Sequence, residues 1–542
     1  MAIKELTYEE ILKKNSRERM KKEKMPLDVI NELPDLIEKG YEIVSEADIV
    51  RLQWYGLYHQ KPKTGGFMMR IKIPGGILTH NKLRTIGQIS ELYGAGYGDI
   101  TTRQDIQLHS IRMENIPDIF QTLKNAGLTT VGACGDVVRN ITGCPVAGIE
   151  KNELFDVRPI INELANLFTG NREYSDLPRK HKITVAACPH QCNLPEIHCQ
   201  AFIGVKRIIN GQEEFGFAVR LGGGLSTVPR LSKHLEVFVK IAEVSTFVKA
   251  VLDVWKSDLT YRRSTVKARI KFMMDDLGAV EFRRRVEERV GYKLDDFKEF
   301  PELKAENDHL GINEQKQEGL VYIGFPVASG RLTGMQMIRL ADLAENENGD
   351  IRLTRQQNMI IANIKKERVD LVLNIAEKIG IKLERILAGK SIACTGEPFC
   401  NFAVAETKER LLDIIVHLES IFENQVDELR INLDGCPHAC GHHWIGDIGL
   451  MGTTARTEDG EKIPAYDIIL RGGRNEFAAI GKPVGRRIPA GEVKFALERL
   501  IRAYQREKLT EDSSFNFQKF CIKNDELNLQ KIMDGTLVEI LE

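Results

Sequence analysis

Apolar and polar positions change period along this chain in a readable order. FMMRIKIP (67–74) is rich in apolar and β-branched residues and reads as a strand that Gly75-Gly76 ends. NKLRTIGQISELYG (81–94) has apolar residues at helical spacing and closes on a glycine. DITTRQDIQLHSI (99–111) returns to strand character, and IPDIFQTLKNAG (116–127) predicts a second helix. Ahead of these, residues 1–47 form a polar stretch of helical character, interrupted at Pro26 and Pro34. Its apolar residues are sparse, so it is expected to wrap a larger body rather than fold alone.

The same order recurs downstream. Pro74 of RIKIP matches Pro326 of VYIGFP at a separation of 252, and Thr101 and Gln104 match Thr354 and Gln357 at 253. CPHQC (188–192) matches CPHAC (436–440) at 248, and VRLGGG (219–224) matches ILRGGR (469–474) at 250. Near-constant offsets predict a duplication whose halves span about 48–290 and 312–505. Strands and helices mix without a βαβ rhythm, which makes the fold class α+β. The boundaries expected are 1–47, 48–128, 129–303, a charged linker at 304–319, 320–385, 386–505 and a helical tail at 506–542.

At 542 residues the chain exceeds one ordinary core. Charged residues make up 28% but the formal net charge is −1, so no global bias toward nucleic acid is expected. The charged N-terminus has no apolar stretch of signal-peptide type, and no apolar run is long enough to span a bilayer. Basic runs at Lys13–Lys24 and Arg283–Arg285 read as solvated helix faces, or as a patch for an acidic redox partner. GAGYG (94–98) lacks the spacing of a dinucleotide loop. Gly222-Gly223-Gly224 is expected to let backbone approach a cofactor closely.

Ten cysteines in a chain of this character point to metal or redox ligands rather than disulfides. Cys394 and Cys400 are spaced Cys-x5-Cys, and Cys436 and Cys440 are spaced Cys-x3-Cys. Four thiolates suit a [4Fe–4S] cluster, each iron taking one; zinc also accepts four, though its paired ligands are usually closer in sequence. CTGEPFCNFAVAETK (394–408) and DGCPHACGHHWIGDIGLMG (434–452) together resemble the paired signature of the sirohaem nitrite and sulfite reductases. The resemblance covers about 48–505 and implies two related halves with the cofactors, sirohaem and a [4Fe–4S] cluster, between them. It implies that Cys394, Cys400, Cys436 and Cys440 hold the cluster and that Cys440 also ligates the sirohaem iron.

The same resemblance implies a six-electron reduction of an oxyanion, with Arg103, Arg139, Lys180 and Lys182 around the substrate. Fixed cations stabilise a bound anion and the charge that develops as its bonds break. Lys180 and Lys182 would share one face of a strand, with His181 on the other. Thr102, Gln104 and Asn140 are expected to bond sirohaem carboxylates. No stretch resembles a flavin or nicotinamide domain, so electrons are expected from a separate protein, ferredoxin being the family's usual donor. A monomeric, cytoplasmic enzyme follows. Lys-x-Lys favours sulfite, whereas CTGEPFC and ETK resemble the nitrite-type branch; a non-catalytic scaffold or sensor is the third reading. Cys134, Cys144, Cys188, Cys192 and Cys199 are read as vestiges of the duplication, or as a second metal site.

Overall fold

The computed structural model describes residues 7–299, 301, 304 and 307–536. Parts of the expected arm (1–6), linker (305–306) and tail (537–542) lie outside the described residues. Four sheets and their helices make an α+β architecture in two matching halves.

Each half opens with a small antiparallel sheet, and the two sheets trade edge strands. In the first, the order is Leu57–His59, Gly66–Ile71, Ile106–Arg112, Tyr97–Ile100 and then Arg331–Thr333 from the second half. In its counterpart, Gly311–Glu314, Leu320–Phe325, Met359–Lys365 and Ile351–Leu353 are followed by Ile77–Leu78 from the first half. Leu78 and Leu332 on the exchanged strands are 1% and 2% exposed. Burying each contributes about 2 kcal/mol, and one core runs through both sheets. The helices His80–Tyr93 and Gly334–Asn346 cross where a Cβ on Gly87 would lie 2.7 Å from the Gly334 carbonyl. Glycine at the crossing lets the two backbones touch.

Two larger units follow the same plan. Thr142–Gly143, Ile183–Ala186 and Gln200–Ile209 pair in parallel before the sheet turns antiparallel. Ile392–Ala393, Ile431–Asp434 and Ile448–Arg456 repeat this in the second half. The CPHQC and CPHAC loops leave the middle strand of each triplet.

Several expectations need correction. The single strand expected over 99–111 is a hairpin, Tyr97–Ile100 and Ile106–Arg112, with residues 101–105 as its turn. Gln104 takes φ +59°, and Thr101 Oγ1 accepts from the backbone N–H groups of Arg103 (3.2 Å) and Asp105 (3.1 Å), a side-chain device that stands in for turn glycine. The linker expected at 304–319 contains a strand, Gly311–Glu314, because Ile312 and its neighbours pair with Leu320–Phe325. Arg283, Arg284 and Arg285 are not a free basic patch; Glu287 and Glu281 on their own helix pair with them.

The N-terminal arm wraps the first half. Lys21 donates to the Leu177 carbonyl at 2.9 Å, Arg17 to Asp136 at 3.0 Å, and Arg262 reaches buried Glu18 at 2.8 Å. The tail is helical over Phe517–Lys523 and Glu526–Asp534, and Phe520 and Leu529 enter the C-terminal core.

The exchange rests on two glutamines at matched positions. Gln104 donates to the Leu353 carbonyl of the other half (2.9 Å) and accepts from Gly143 N (3.0 Å). Gln357, at φ +67°, donates to the Ile100 carbonyl (2.7 Å) and accepts from Ala393 N (3.0 Å). Gly330 sits against this brace at φ +72°, where a Cβ would lie 2.7 Å from the Gln357 Cβ. Gly311 has a similar φ of +75° with open space around it. Gly330→Ala is expected to destabilise by about 2 kcal/mol or more, and Gly311→Ala by about 1 kcal/mol, in urea unfolding. Equal losses would mean that the Gly330 contact is not constraining the seam.

Candidate functional site

The 101–105 turn, the 132–144 loop, residues 180–182 and the CPHAC loop meet between the halves. Thr102 Oγ1 donates to the Cys440 carbonyl at 3.0 Å, tying the first-half turn to the second-half cysteine loop. Arg103 follows directly and is 8% exposed. Its guanidinium donates to His198 Nε2 at 3.2 Å and to the Asn140 carbonyl. His198 Nδ1 lies 2.8 Å from the Leu194 carbonyl, so the ring proton sits there and Nε2 is left as the acceptor for Arg103. Burial and the adjacent Arg103 hold His198 well below the usual histidine value, which keeps it neutral.

Burial pushes Arg103 down to about 10, with Asp105 opposing. Asp105 is itself buried and raised to about 6, with Arg70 and Arg103 opposing. Burial also lowers Lys180 to about 7, helped by Arg139, Arg179 and Arg269, and Lys182 far below its usual value, helped by Arg103 and Lys180. His181 between them is fully buried, 3.3 Å from Gln200 Oε1 and against the Trp255 ring. It takes the core side while both lysines feel the site's cations. Arg139 is 4% exposed and spends three nitrogens on the Ala133 and Gly135 carbonyls, within 2.7 to 3.2 Å, so its first task is to shape that loop.

Two residues expected at the cofactor are tied into the turn. Gln104 is committed at both ends of its amide to the interlock, and Asn140 Nδ2 donates to the Ile73 (2.7 Å) and Arg103 (3.0 Å) carbonyls. Both brace the turn through their amide nitrogens, and Asn140 Oδ1 is buried without a partner. Gly222, Gly223 and Gly224 also face protein: their missing Cβ atoms would meet Met274, the His198 carbonyl and Arg269.

Other cations join the wall unannounced. Arg70 shares Gln107 Oε1 at 3.1 Å, and Lys72, 2% exposed and lowered by burial to about 8, donates to Thr169 Oγ1 at 2.8 Å. Arg269 donates to Cys199 Sγ at 2.9 Å while its buried Nε has no partner, and Arg103 Nε is likewise unpartnered. The alternation Arg70-x-Lys72 in MRIK was the available signal.

The four signature cysteines converge across the gap from these cations. Cys394 Sγ accepts from Gly435 N at 3.3 Å, and Cys440 is exposed and near enough to Lys180 and Lys182 to feel both. Asp434, missed by the sequence reading, braces the loop by accepting from Gly441 N (2.6 Å) and His443 Nδ1 (2.8 Å). Burial, Asp434 and the other thiols push Cys394 well above the ordinary thiol value and Cys436 up to about 12. Ionised together they would repel, so the donor set calls for a cationic metal centre. Among the described residues no three His, Cys, Asp or Glu side chains close around a single ion, and the zinc reading finds no donor set. Unpartnered buried guanidinium nitrogens fit a polyanionic macrocycle, and the paired thiols fit a cluster.

A lysine held below its usual value binds fewer protons than in the unfolded chain, so it costs stability up to its folded value and less as pH approaches about 10. Lys180→Met is therefore expected to raise the melting temperature of the cofactor-free protein most near pH 7, with the gain fading toward pH 10. A gain that grows with pH would contradict the assignment.

The "Nitrite and sulphite reductase 4Fe-4S domain" model matches residues 134–294, and the "Nitrite/Sulfite reductase ferredoxin-like half domain" matches 59–126 and 313–379. A ferredoxin–nitrite reductase of Leptolyngbya laminosa is 36% identical over 90% of this chain and 96% of its own. A sulfite reductase [ferredoxin] of Mycobacterium tuberculosis is 31% identical over 95% and 96%. The solved structure of the Mycobacterium tuberculosis NirA protein superposes with a TM-score of 0.89 at 30% identity, covering 95% of this chain and 97% of that one. No described helix is long and apolar enough to cross a membrane. The two family models and the relatives at 31% and 36% identity over nine-tenths or more of the chain decide the matter: the chain belongs to the nitrite and sulfite reductase family, oxidoreductases that carry sirohaem and a [4Fe–4S] cluster.

Proposed function

We propose that this enzyme reduces sulfite to sulfide with ferredoxin as electron donor. Sulfite takes up six electrons and six protons and leaves as sulfide and three waters. The observation that carries the reading is the concentration of basic side chains near Cys440, above all Lys180 and Lys182 together, which an entering anion would favour in their protonated forms. Sulfite approaches two negative charges near neutral pH and nitrite carries one, so two lysines that can each take up a proton as the anion enters suit sulfite.

When bound, sirohaem supplies an open iron position for the oxyanion and, through the cluster, the electrons. Cys394, Cys400, Cys436 and Cys440 would hold the cluster, and Arg103, Lys72 and Arg269 would meet the macrocycle's carboxylates or the substrate. Arg103 orients the oxyanion, with its guanidinium aimed by His198. Lys180, at about 7 before any anion enters, can hold a proton at Nζ and release it near neutral pH. An entering anion raises that value, so binding itself loads the proton. Nitrite reduction is the second reading, favoured by the ferredoxin–nitrite reductase relative at 36% identity.

Lys182→Asn is expected to lower kcat/KM for sulfite more than for nitrite, measured in parallel with reduced methyl viologen; equal loss for both would defeat the charge argument. His198→Phe is expected to raise KM for sulfite about tenfold, the cost of one charge-assisted hydrogen bond. His198→Gln, which keeps an acceptor, should recover most of it. No difference between the two variants would remove the aiming role.

A further inference from the structure

Asp99 anchors a buried group of charges beside the cysteine loops. His109 Nε2 lies 3.0 Å from Asp99 Oδ2, and both residues are buried. Arg331, on the strand lent by the second half, donates to the same carboxylate at 2.9 and 3.3 Å. Lys408 Nζ lies 3.6 Å from Asp99 Oδ1 and donates to the Ser329 carbonyl. Two cations thus share one carboxylate, and Lys408 is only 2% exposed. Its helix does not explain the placement. Lys408 opens the helix Lys408–Phe422, where the dipole disfavours a cation, and burying an ammonium adds a further cost. Thr407 stands at the N-cap but makes no capping bond; its hydroxyl donates to the Cys394 carbonyl at 2.7 Å. The Glu406 carboxylate accepts from the first-turn N–H groups of Glu409 (3.1 Å) and Arg410 (2.6 Å) instead. Thr407 and Lys408 are both turned from the helix toward the cysteine loops.

The same residues fix those loops in place. A Cβ on Gly435, the residue before Cys436, would lie 3.3 Å from Thr407 Cγ2. Gln107 Nε2 donates to Thr395 Oγ1 at 3.0 Å, next to Cys394. The ring of Phe399, the residue before Cys400, stacks on His109 with centroids 4.4 Å apart. Both ends of the Cys-x5-Cys are therefore held to the strand Ile106–Arg112, whose His109 shares Asp99 with Lys408. We propose that Lys408 is a fixed charge that raises the reduction potential of the cluster and so makes it a better acceptor for the donor protein's electrons. The proposal rests on the reading of Cys394, Cys400, Cys436 and Cys440 as the cluster ligands. Each electron delivered adds one negative charge beside the thiolates. An ammonium held nearby in a water-poor interior stabilises that charge, and no proton has to move.

The test is the midpoint potential of the cluster in the holoenzyme, read from the EPR signal of its reduced form during a reductive titration. Wild type, Lys408→Met and Lys408→Arg are compared, with iron and acid-labile sulfide counted on the same samples. Lys408→Met should keep the wild-type iron count, because Asp99 retains Arg331 and His109 as partners. Its midpoint should move to a more negative value. Lys408→Arg keeps the charge and should stay close to wild type. An unmoved midpoint in Lys408→Met, or an equal shift in both variants, would overturn the proposal. If Lys408→Met does not hold iron, Arg331→Gln decides. Removing this more exposed cation from the group should also lower the midpoint, and an unmoved or raised value would overturn the proposal. A wild-type protein without the EPR signal would strike the cluster reading itself. Neither sulfite nor nitrite enters the measurement, so a failed substrate assignment leaves it intact.

Discussion

The structure depends on a seam that each half closes for the other. An edge strand of two residues, Ile77–Leu78, is too short to hold alone, and so is the three-residue Arg331–Thr333. Beside each, the end carbonyl of the strand it pairs with accepts from a glutamine of the half that lends the edge strand, Leu353 from Gln104 and Ile100 from Gln357. Gln104 and Gln357 place their amides where a backbone N–H and a backbone carbonyl would otherwise be buried unpaired, at a cost of about 1–3 kcal/mol per group. The same turn that holds Gln104 holds Arg103 one residue earlier. Interlocking the halves and aiming the first cation are therefore one structural act.

That coupling explains why the two copies diverged. The first retains Arg103 where the second has Gln356, and the second retains the Cys-x5-Cys that the first lacks. Cations and thiolates both suffer from burial: Lys180 and Lys182 are pushed toward neutrality, and the Cys394, Cys436 and Cys440 thiols toward protonation. Without cofactors each wall gathers groups that would carry charge of one sign if ionised. Anionic sirohaem relieves the cation side and cationic iron the thiol side, so loading the cofactors and completing the fold reinforce each other.

Much of this was legible from residue order. The repeat offsets and the paired cysteine signature led to the duplicated α+β architecture, because turns and ligands keep their spacing when surfaces drift. The hairpin at 101–105 was hidden, since Thr101 and Thr102 favour strands and no glycine, proline or asparagine marks the bend. Arg70 and Lys72 alternate along a strand, and their partners, Gln107 and Thr169, come from other elements of the same half that residue order does not place beside them. Gln104 and Asn140 were expected to face the cofactor; their hydrogen bonds go to backbone because the turn has no other way to satisfy its buried carbonyls. His198 carries no signal beyond a polar residue in a loop. Its role exists only once Arg103 is brought to it.

The central claim is a division of labour, with thiolates of one half holding iron and cations of the other holding the oxyanion. Iron content and the sulfite-induced shift of the sirohaem absorption band, measured together on Cys440→Ala and Lys182→Met, test it most directly. The account predicts that Lys182→Met keeps about five irons per chain, four in the cluster, while the sulfite-induced shift weakens; Cys440→Ala should lose iron. If Lys182→Met lost iron as readily as Cys440→Ala, the cations would be part of the cofactor scaffold and the division would be wrong.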